Sequence, residues 1–189
     1  MVSIFVYVII MTFTPGPNNI MSMNNARSAG FKKGVKFNFG ILAGSLIVMI
    51  LCLLFSSFLY NLVPKIQFPM KILGALYMIY LMITIIVSSK ENKYVNNNGS
   101  FLMGALLQFI NPKVILFGLM VMSSYILPRY QDILIISLLI ISIVLIGFTS
   151  TICWALFGSL FSTLFNNHKK KLDIIMVILL LYCTISLFL

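Results

Sequence analysis

Long apolar runs alternate with short polar segments along the whole chain. A helix needs about 20 residues to cross a hydrocarbon core. At that length the pattern predicts six spans, at roughly 2–27, 38–62, 69–88, 101–125, 133–163 and 172–189. The fifth run is long for one crossing, so it tilts or extends past the bilayer, and the last begins a little before Asp173. Two spans are interrupted, the first by "TPGPNN" (14–19) and the fourth by "INPK" (110–113). A proline inside a helix removes a hydrogen bond and clashes with the preceding turn. Within a bilayer such a break survives only where neighbours or water satisfy the freed backbone. Pro15, Gly16, Pro17 and Pro112 are therefore expected to shape the breaks, meeting any ligand through backbone alone.

The two breaks stand in matching places. "TFTPGP" (12–17) and "QFINPK" (108–113) align without gaps at an offset of 96, although only Phe13 and Phe109 are identical. Each break lies in the first of three successive spans. Two three-helix units in one chain must run in opposite senses, because three is odd. The expected fold is an all-α integral membrane protein, a single transporter domain over 1–189. It is built from two inverted three-helix repeats, 1–90 and 100–189, with helices one and four broken. Broken spans in corresponding positions mark the binding site in this architecture.

Composition agrees with a bilayer as the solvent. The chain of 189 residues is 61% hydrophobic and 8% charged, with a mean hydropathy of +1.10, where a soluble domain has about a quarter of its residues charged. The net charge of +10 does not indicate nucleic acid, because the cations fall in short clusters between apolar runs, as in juxtamembrane loops. Arg27, Lys32, Lys33, Lys36, Lys90, Lys93 and Lys169–Lys171 follow spans one, three and five, while Lys65, Lys71 and Arg129 occupy the opposite side. Nine cations against three put the basic loops in the cytoplasm and both termini outside. Residues 1–13 carry no Lys or Arg, so a cleaved signal peptide is not expected. Cys52, Cys153 and Cys183 lack any CxxC or Cys/His spacing and read as small buried hydrophobes. No metal or cofactor is expected.

Broken helices bring their own chemistry. The N-terminus of the second half offers free N–H groups and partial positive charge to a carboxylate. The C-terminus of the first half offers carbonyls to an ammonium or a cation. Facing breaks at mid-depth thus suit a small zwitterion such as an amino acid. Asn18, Asn19, Gln108 and Asn111 carry amides that donate and accept, although Asn18 and Asn19 equally suit helix capping. Lys113 lies in no loop, and an intramembrane cation needs a partner or water. It either meets substrate or bonds to carbonyls freed by the break. In "GILAGSLIVM", Gly40 and Gly44 stand four apart, a spacing that lets helices approach closely; lining the cavity is the alternative. Gly147, Trp154 and Gly158 are candidates for equivalent work in span five. Tyr77, Tyr80 and Tyr182 read as packing or interfacial residues. Glu91, Asp132 and Asp173 fall in loops or at span ends, and His168 beside "KKK". With no carboxylate well inside a span, a substrate with a basic side chain lacks its partner, and Lys113 is the one buried candidate for proton coupling.

"MTFTPGPNNIMSM", "GILAGSLIVMILC", "LGALYMIYL", "ALLQFINPKVILFG", "ILPRYQ", "CWALFGSLF" and "LLLYC" together resemble the LysE/RhtB superfamily of amino-acid exporters, most of all its cysteine and O-acetylserine branch. The resemblance runs through almost the whole chain in order, and its specific parts are the TPGPNN and N-P-K blocks. It implies a multi-pass plasma-membrane exporter of small amino acids driven by the proton gradient. Pro15, Gly16, Pro17, Asn18, Asn111 and Lys113 then occupy the positions of the family's motifs. Branches that export basic amino acids carry an acidic residue in the second span, where this chain reads "AGSLI", which argues for a neutral substrate.

The expected partners are a small amino-acid substrate and the lipid bilayer, with a homo-oligomer left open. A passive channel for small polar solutes is the alternative, although one chain offers few pore-lining groups. Export of threonine, homoserine or leucine is also compatible. An enzyme would need a nucleophile with a base, or a metal cluster, and one loop histidine with no buried carboxylate cannot assemble either.

Overall fold

The break residues dictate where helices stop and restart. In a computed structural model, which describes residues 2–56, 68–69, 72, 75–76, 78–80, 82–83, 85–87, 99–164 and 169–186, every regular element is helical. The first span is α1 (Val2–Phe13) and α2 (Pro17–Ala29), bent by 48°. α3 (Phe31–Leu54) follows directly. The fourth span is α4 (Phe101–Ile110) and α5 (Pro112–Met120), which runs on through a π-helical turn, Val121–Ile126, with a 63° bend at the break. α6 (Ile133–Leu164) and α7 (Lys169–Ser186) complete the chain. Pro17 and Pro112 each open the second half-helix, where a missing N–H costs nothing.

α3 and α6 are long and apolar enough to cross a membrane, and each bent pair passes the same test as one span. The breaks differ in length. Thr14, Pro15 and Gly16 separate the first pair of half-helices, and Asn111 alone separates the second. α3 begins seven residues before its apolar run, and that extension keeps Lys32, Lys33 and Lys36 exposed while burying Gly34 and Phe37. Gly30 joins α2 to α3 at φ 82°, a left-handed value that favours glycine. In the region of the third predicted span, the described residues from Phe68 to Val87 are helical. Lys65, Lys71, Tyr77, Lys90, Glu91, Lys93 and His168 lie outside the described residues, as does the side chain of Cys183.

Large apolar side chains such as Val6, Ile10, Leu54, Ile133, Leu138 and Ile178 point outward, the belt expected of a protein whose solvent is lipid. Inside, one apolar cluster joins Ile4 and Val8 of α1 to Val48, Met49, Met122, Ile140 and Ile143. A second joins Ile20, Met21 and Met23 of α2 to Phe37, Ile41, Leu107, Met176 and Leu180. In the first span the break falls between the residues of one cluster and those of the other. Cys52 is buried as expected, but Cys153 is exposed. In lipid an apolar thiol is as comfortable outside as inside.

Glycines set the helix spacing. A Cβ on Gly40 would lie 1.9 Å from the Phe101 carbonyl oxygen, and one on Gly44 2.5 Å from that of Ala105. From the other side, a Cβ on Gly104 would lie 2.2 Å from the Phe37 oxygen. α3 and α4 therefore pack backbone against backbone, the close approach that small residues permit. Gly158 does the same for α6 on α2, 2.1 Å from the Met23 oxygen. Gly147 does not: its nearest neighbour would be Thr12 Cγ2 at 3.7 Å.

Candidate functional site

The two breaks meet. Asn18, in the first turn of α2, donates from Nδ2 to Gln108 Oε1 at 2.8 Å and accepts from Gln108 Nε2 at 3.2 Å. Asn111 Nδ2 donates to the same Asn18 oxygen at 3.2 Å. Gln108 is fully buried and also accepts from the Ser45 hydroxyl at 3.3 Å. Amides of α2, of α4 and of the break between α4 and α5 thus form a clasp, and each such bond is worth about 0.5–1.5 kcal/mol net.

Unpaired carbonyls at the end of α1 are the predicted cost of its break, and those of Thr12, Phe13 and Thr14 find donors. Thr12 O accepts from Asn19 Nδ2 and from the Ser150 hydroxyl, both at 2.8 Å. Phe13 O accepts from Trp154 Nε1 at 3.3 Å. Thr14 O accepts from Asn19 Nδ2 at 3.0 Å and from Lys113 Nζ at 3.1 Å. Lys113 thereby sets its cation against the negative end of the α1 dipole. Asn19 thus donates to the carbonyls that precede its own helix, whereas an N-capping side chain accepts from N–H groups. The carbonyl end expected to receive an ammonium is therefore occupied by the protein's own donors.

The positive ends are unequal. Asn111 caps α5 by accepting from the Lys113 backbone N–H at 3.1 Å. Among the described residues no side chain caps α2, whose N-cap is the extended Gly16. A cavity opens on that end, lined by Gly16, Pro17, Asn18, Asn19, Asn111 and Lys113 on the break side. Thr12, Ser45, Gly147 and Thr151 complete its polar and small-residue wall, and Met49, Phe117 and Ile143 contribute apolar surface. It offers about 80 Å³ to the centres of water-sized molecules, several times the ~10–15 Å³ that one water needs. Polar convergence on a partly apolar cavity is the usual form of a small-molecule site.

Of the residues singled out from the sequence, Asn18, Asn19, Asn111 and Lys113 line this cavity. Gln108 supports it from behind through Asn18, and Gly40 and Gly44 hold α3 against α4 instead. Sequence reading missed Thr12, Ser45, Ser150 and Thr151. The available signal was "TST" (149–151), three hydroxyls within the longest apolar run. Thr12 and Thr151 give their protons to the Val8 and Phe148 carbonyls at 2.8 Å, which leaves oxygen lone pairs as acceptors.

Two charges also stand apart from their expected places. Arg27, counted above with the loop cations, lies in the last turn of α2 and pairs with Asp173 of α7 at 2.5 Å. Both side chains are more than nine-tenths buried.

No solved structure is significantly similar to this chain. Among curated proteins, the cysteine/O-acetylserine efflux protein of Escherichia coli strain K12 is 35% identical over 183 residues, covering 96% of this chain and 94% of that one. The proteins of the same name from Shigella flexneri serotype 5b (strain 8401) and Escherichia coli O1:K1 match to the same extent. The profile of the LysE type translocators matches residues 9–189. With membrane-length apolar helices, two broken spans clasped at a polar cavity, and this match over nearly its whole length, the chain belongs to the LysE type translocator family, which are membrane transport proteins and not enzymes.

Proposed function

We propose that this protein is a secondary transporter that exports small neutral amino acids or their derivatives, cysteine and O-acetylserine among them, across the plasma membrane. The observation that carries the reading is the Asn18–Gln108–Asn111 clasp beside the uncapped N-terminus of α2. That end suits the carboxylate of a zwitterion, with Asn18, Asn111 and Lys113 as further donors. The Thr12, Phe13 and Thr14 carbonyls being occupied, the ammonium finds its acceptors in the Thr12 and Thr151 hydroxyls, both on the cavity wall. Neutral substrates are favoured because, among the described residues, no Asp or Glu lines the cavity. The names of the relatives support the choice of cysteine-like cargo. In this reading the chain forms six spans as two inverted repeats, with both termini outside, and a proton moves against the cargo, with Lys113 as its carrier.

Counterflow of labelled cysteine and O-acetylserine in proteoliposomes tests it, with serine, threonine, leucine and lysine as unlabelled competitors. Saturable exchange, competed by neutral amino acids but not by lysine and weakened in Asn18→Ala and Asn111→Ala, is the expected result. Flux that rises linearly with concentration would mean a channel. Undiminished exchange in both variants would remove the site while leaving the carrier.

A further inference from the structure

α2 is half of a membrane span and buries Ile20, Met21 and Met23, yet one strip of its surface is polar. Asn18, Ser22 and Asn25 stand at i, i+4 and i+7, so they share one face, and Ser22 and Asn25 are buried. This face starts at the cavity and runs toward Arg27, roughly 13 Å further along the helix at 1.5 Å per residue. There Arg27 Nη2 meets Asp173 Oδ1 at 2.5 Å, with the two side chains 8% and 5% exposed.

The pair is incomplete in a specific way. Arginine–carboxylate pairs are frequently bidentate, with two arms of the fork on one carboxylate. Here only Nη2 engages the carboxylate, and it also reaches Asn24 Oδ1 at 3.4 Å. Among the described residues, Arg27 Nε and Nη1, Asp173 Oδ2 and Asn25 Nδ2 are buried without a hydrogen-bond partner. Gly99 packs tightly over Asn25, where a Cβ would come within 2.2 Å of Nδ2. Buried polar atoms in native proteins are almost always satisfied, so unfilled donors beside an unfilled carboxylate oxygen point to an occupant that comes and goes.

We propose that Arg27, Asp173 and Asn25 form a second site for the amino acid, at the cytoplasmic end of the path, separate from the cavity at the breaks. The guanidinium and the Asn25 amide take the α-carboxylate, and Asp173 takes the α-ammonium. Without cargo the two charges close on each other and tie α2 to α7. Cargo arriving from the cytoplasm replaces each charge's partner with one of its own, and the polar face of α2 leads it to Asn18. The proposal rests on the amino-acid reading above and on the orientation that puts the end of α2 in the cytoplasm.

The test is cysteine exchange in vesicles of defined sidedness, with KM measured separately at each face. The variants are Arg27→Lys, Asp173→Asn and the double exchange Arg27→Asp with Asp173→Arg. The expected result is that Arg27→Lys and Asp173→Asn raise the cytoplasmic-face KM by at least about tenfold more than the opposite-face KM, the scale of one charged hydrogen bond. The exchanged pair is expected to restore thermal stability without restoring the cytoplasmic KM. As chemical probes, an amino-acid methyl ester lacks the carboxylate and an N-acetyl amino acid lacks the ammonium. The parent rejects both at the cytoplasmic face, and Asp173→Asn narrows its preference for the free amine. Full rescue of KM by the exchanged pair, equal KM changes at both faces, or failure of both conservative variants to fold would each assign the pair to folding alone and overturn the site. Absence of exchange by the parent would overturn the transport reading, and this site with it.

Discussion

Substituting alanine for Gly40 tests whether helix spacing sets the geometry of the site. The added Cβ would lie 1.9 Å from the Phe101 carbonyl oxygen. Real contacts of this kind do not fall below 3.0 Å, so α3 and α4 must separate by about 1.1 Å. α4 carries Gln108, whose bond from Asn18 is 2.8 Å and whose bond from Ser45 is 3.3 Å. A shift of that size takes the Asn18 bond beyond the ~2.7–3.2 Å range of a good hydrogen bond and breaks the longer one from Ser45. Overpacking costs about 1–3 kcal/mol, and the two weakened hydrogen bonds to Gln108 add about 0.5–1.5 kcal/mol each. The sum, about 2–6 kcal/mol, corresponds to a fall in Tm on the order of 10 °C for a chain of this size. A displacement of about 1 Å at a positioning group also costs up to about 100-fold in rate. Thermal unfolding in detergent and counterflow in proteoliposomes measure the two effects. A Gly40→Ala protein with the parent's Tm and the parent's exchange rate would refute the close packing of α3 on α4 and the dependence of the clasp upon it.

Gly147→Ala is the matched control: its Cβ meets only Thr12 Cγ2 at 3.7 Å. Its Tm is expected to stay within about 2 °C of the parent, while KM rises more for leucine than for cysteine because the cavity narrows; a large loss of Tm would contradict the open space. Lys113→Met removes one of the two donors to Thr14 O and the cation at the end of α1. It is expected to lower stability by about 1–3 kcal/mol and to abolish proton-driven export, and parent-like export under a pH gradient would dismiss Lys113 as proton carrier. Trp154 is the single tryptophan of the chain and donates to Phe13 O at the first break. Titrating cysteine into purified protein is expected to change its emission saturably, with the response weakened in Asn18→Ala; an unchanged spectrum at saturating cysteine would mean that binding leaves the break unmoved.

Much of the site could be read from residue types. Prolines in a membrane-length run announce breaks, and Asn18, Asn111 and Lys113 are too polar to stand beside them without purpose. The hydroxyls of Thr12 and Thr151 escaped notice because a hydroxyl that bonds a carbonyl of the preceding turn hides easily within an apolar helix, and that of Ser150 because its acceptor, Thr12 O, lies 138 residues away. Arg27 and Asp173 escaped for another reason. Each is near the end of a run, where a charge is ordinarily solvated, and only α2 and α7 packing side by side turns them into a buried pair.

The linear sequence determined the helical class and both breaks, because hydrocarbon admits a backbone only when its own hydrogen bonds are closed. Local chemistry alone also placed Pro17 and Pro112 at helix starts. Partner choice was a tertiary matter. Thr14 O is reached by a lysine 99 residues away, Phe13 O by a tryptophan 141 residues away, and Asn18 by an amide 90 residues away. Those pairings depend on how each half-helix is rotated about its axis. Hydropathy cannot report that rotation in a membrane, since lipid and protein core are equally apolar and the outward Leu138 and the inward Leu139 read alike.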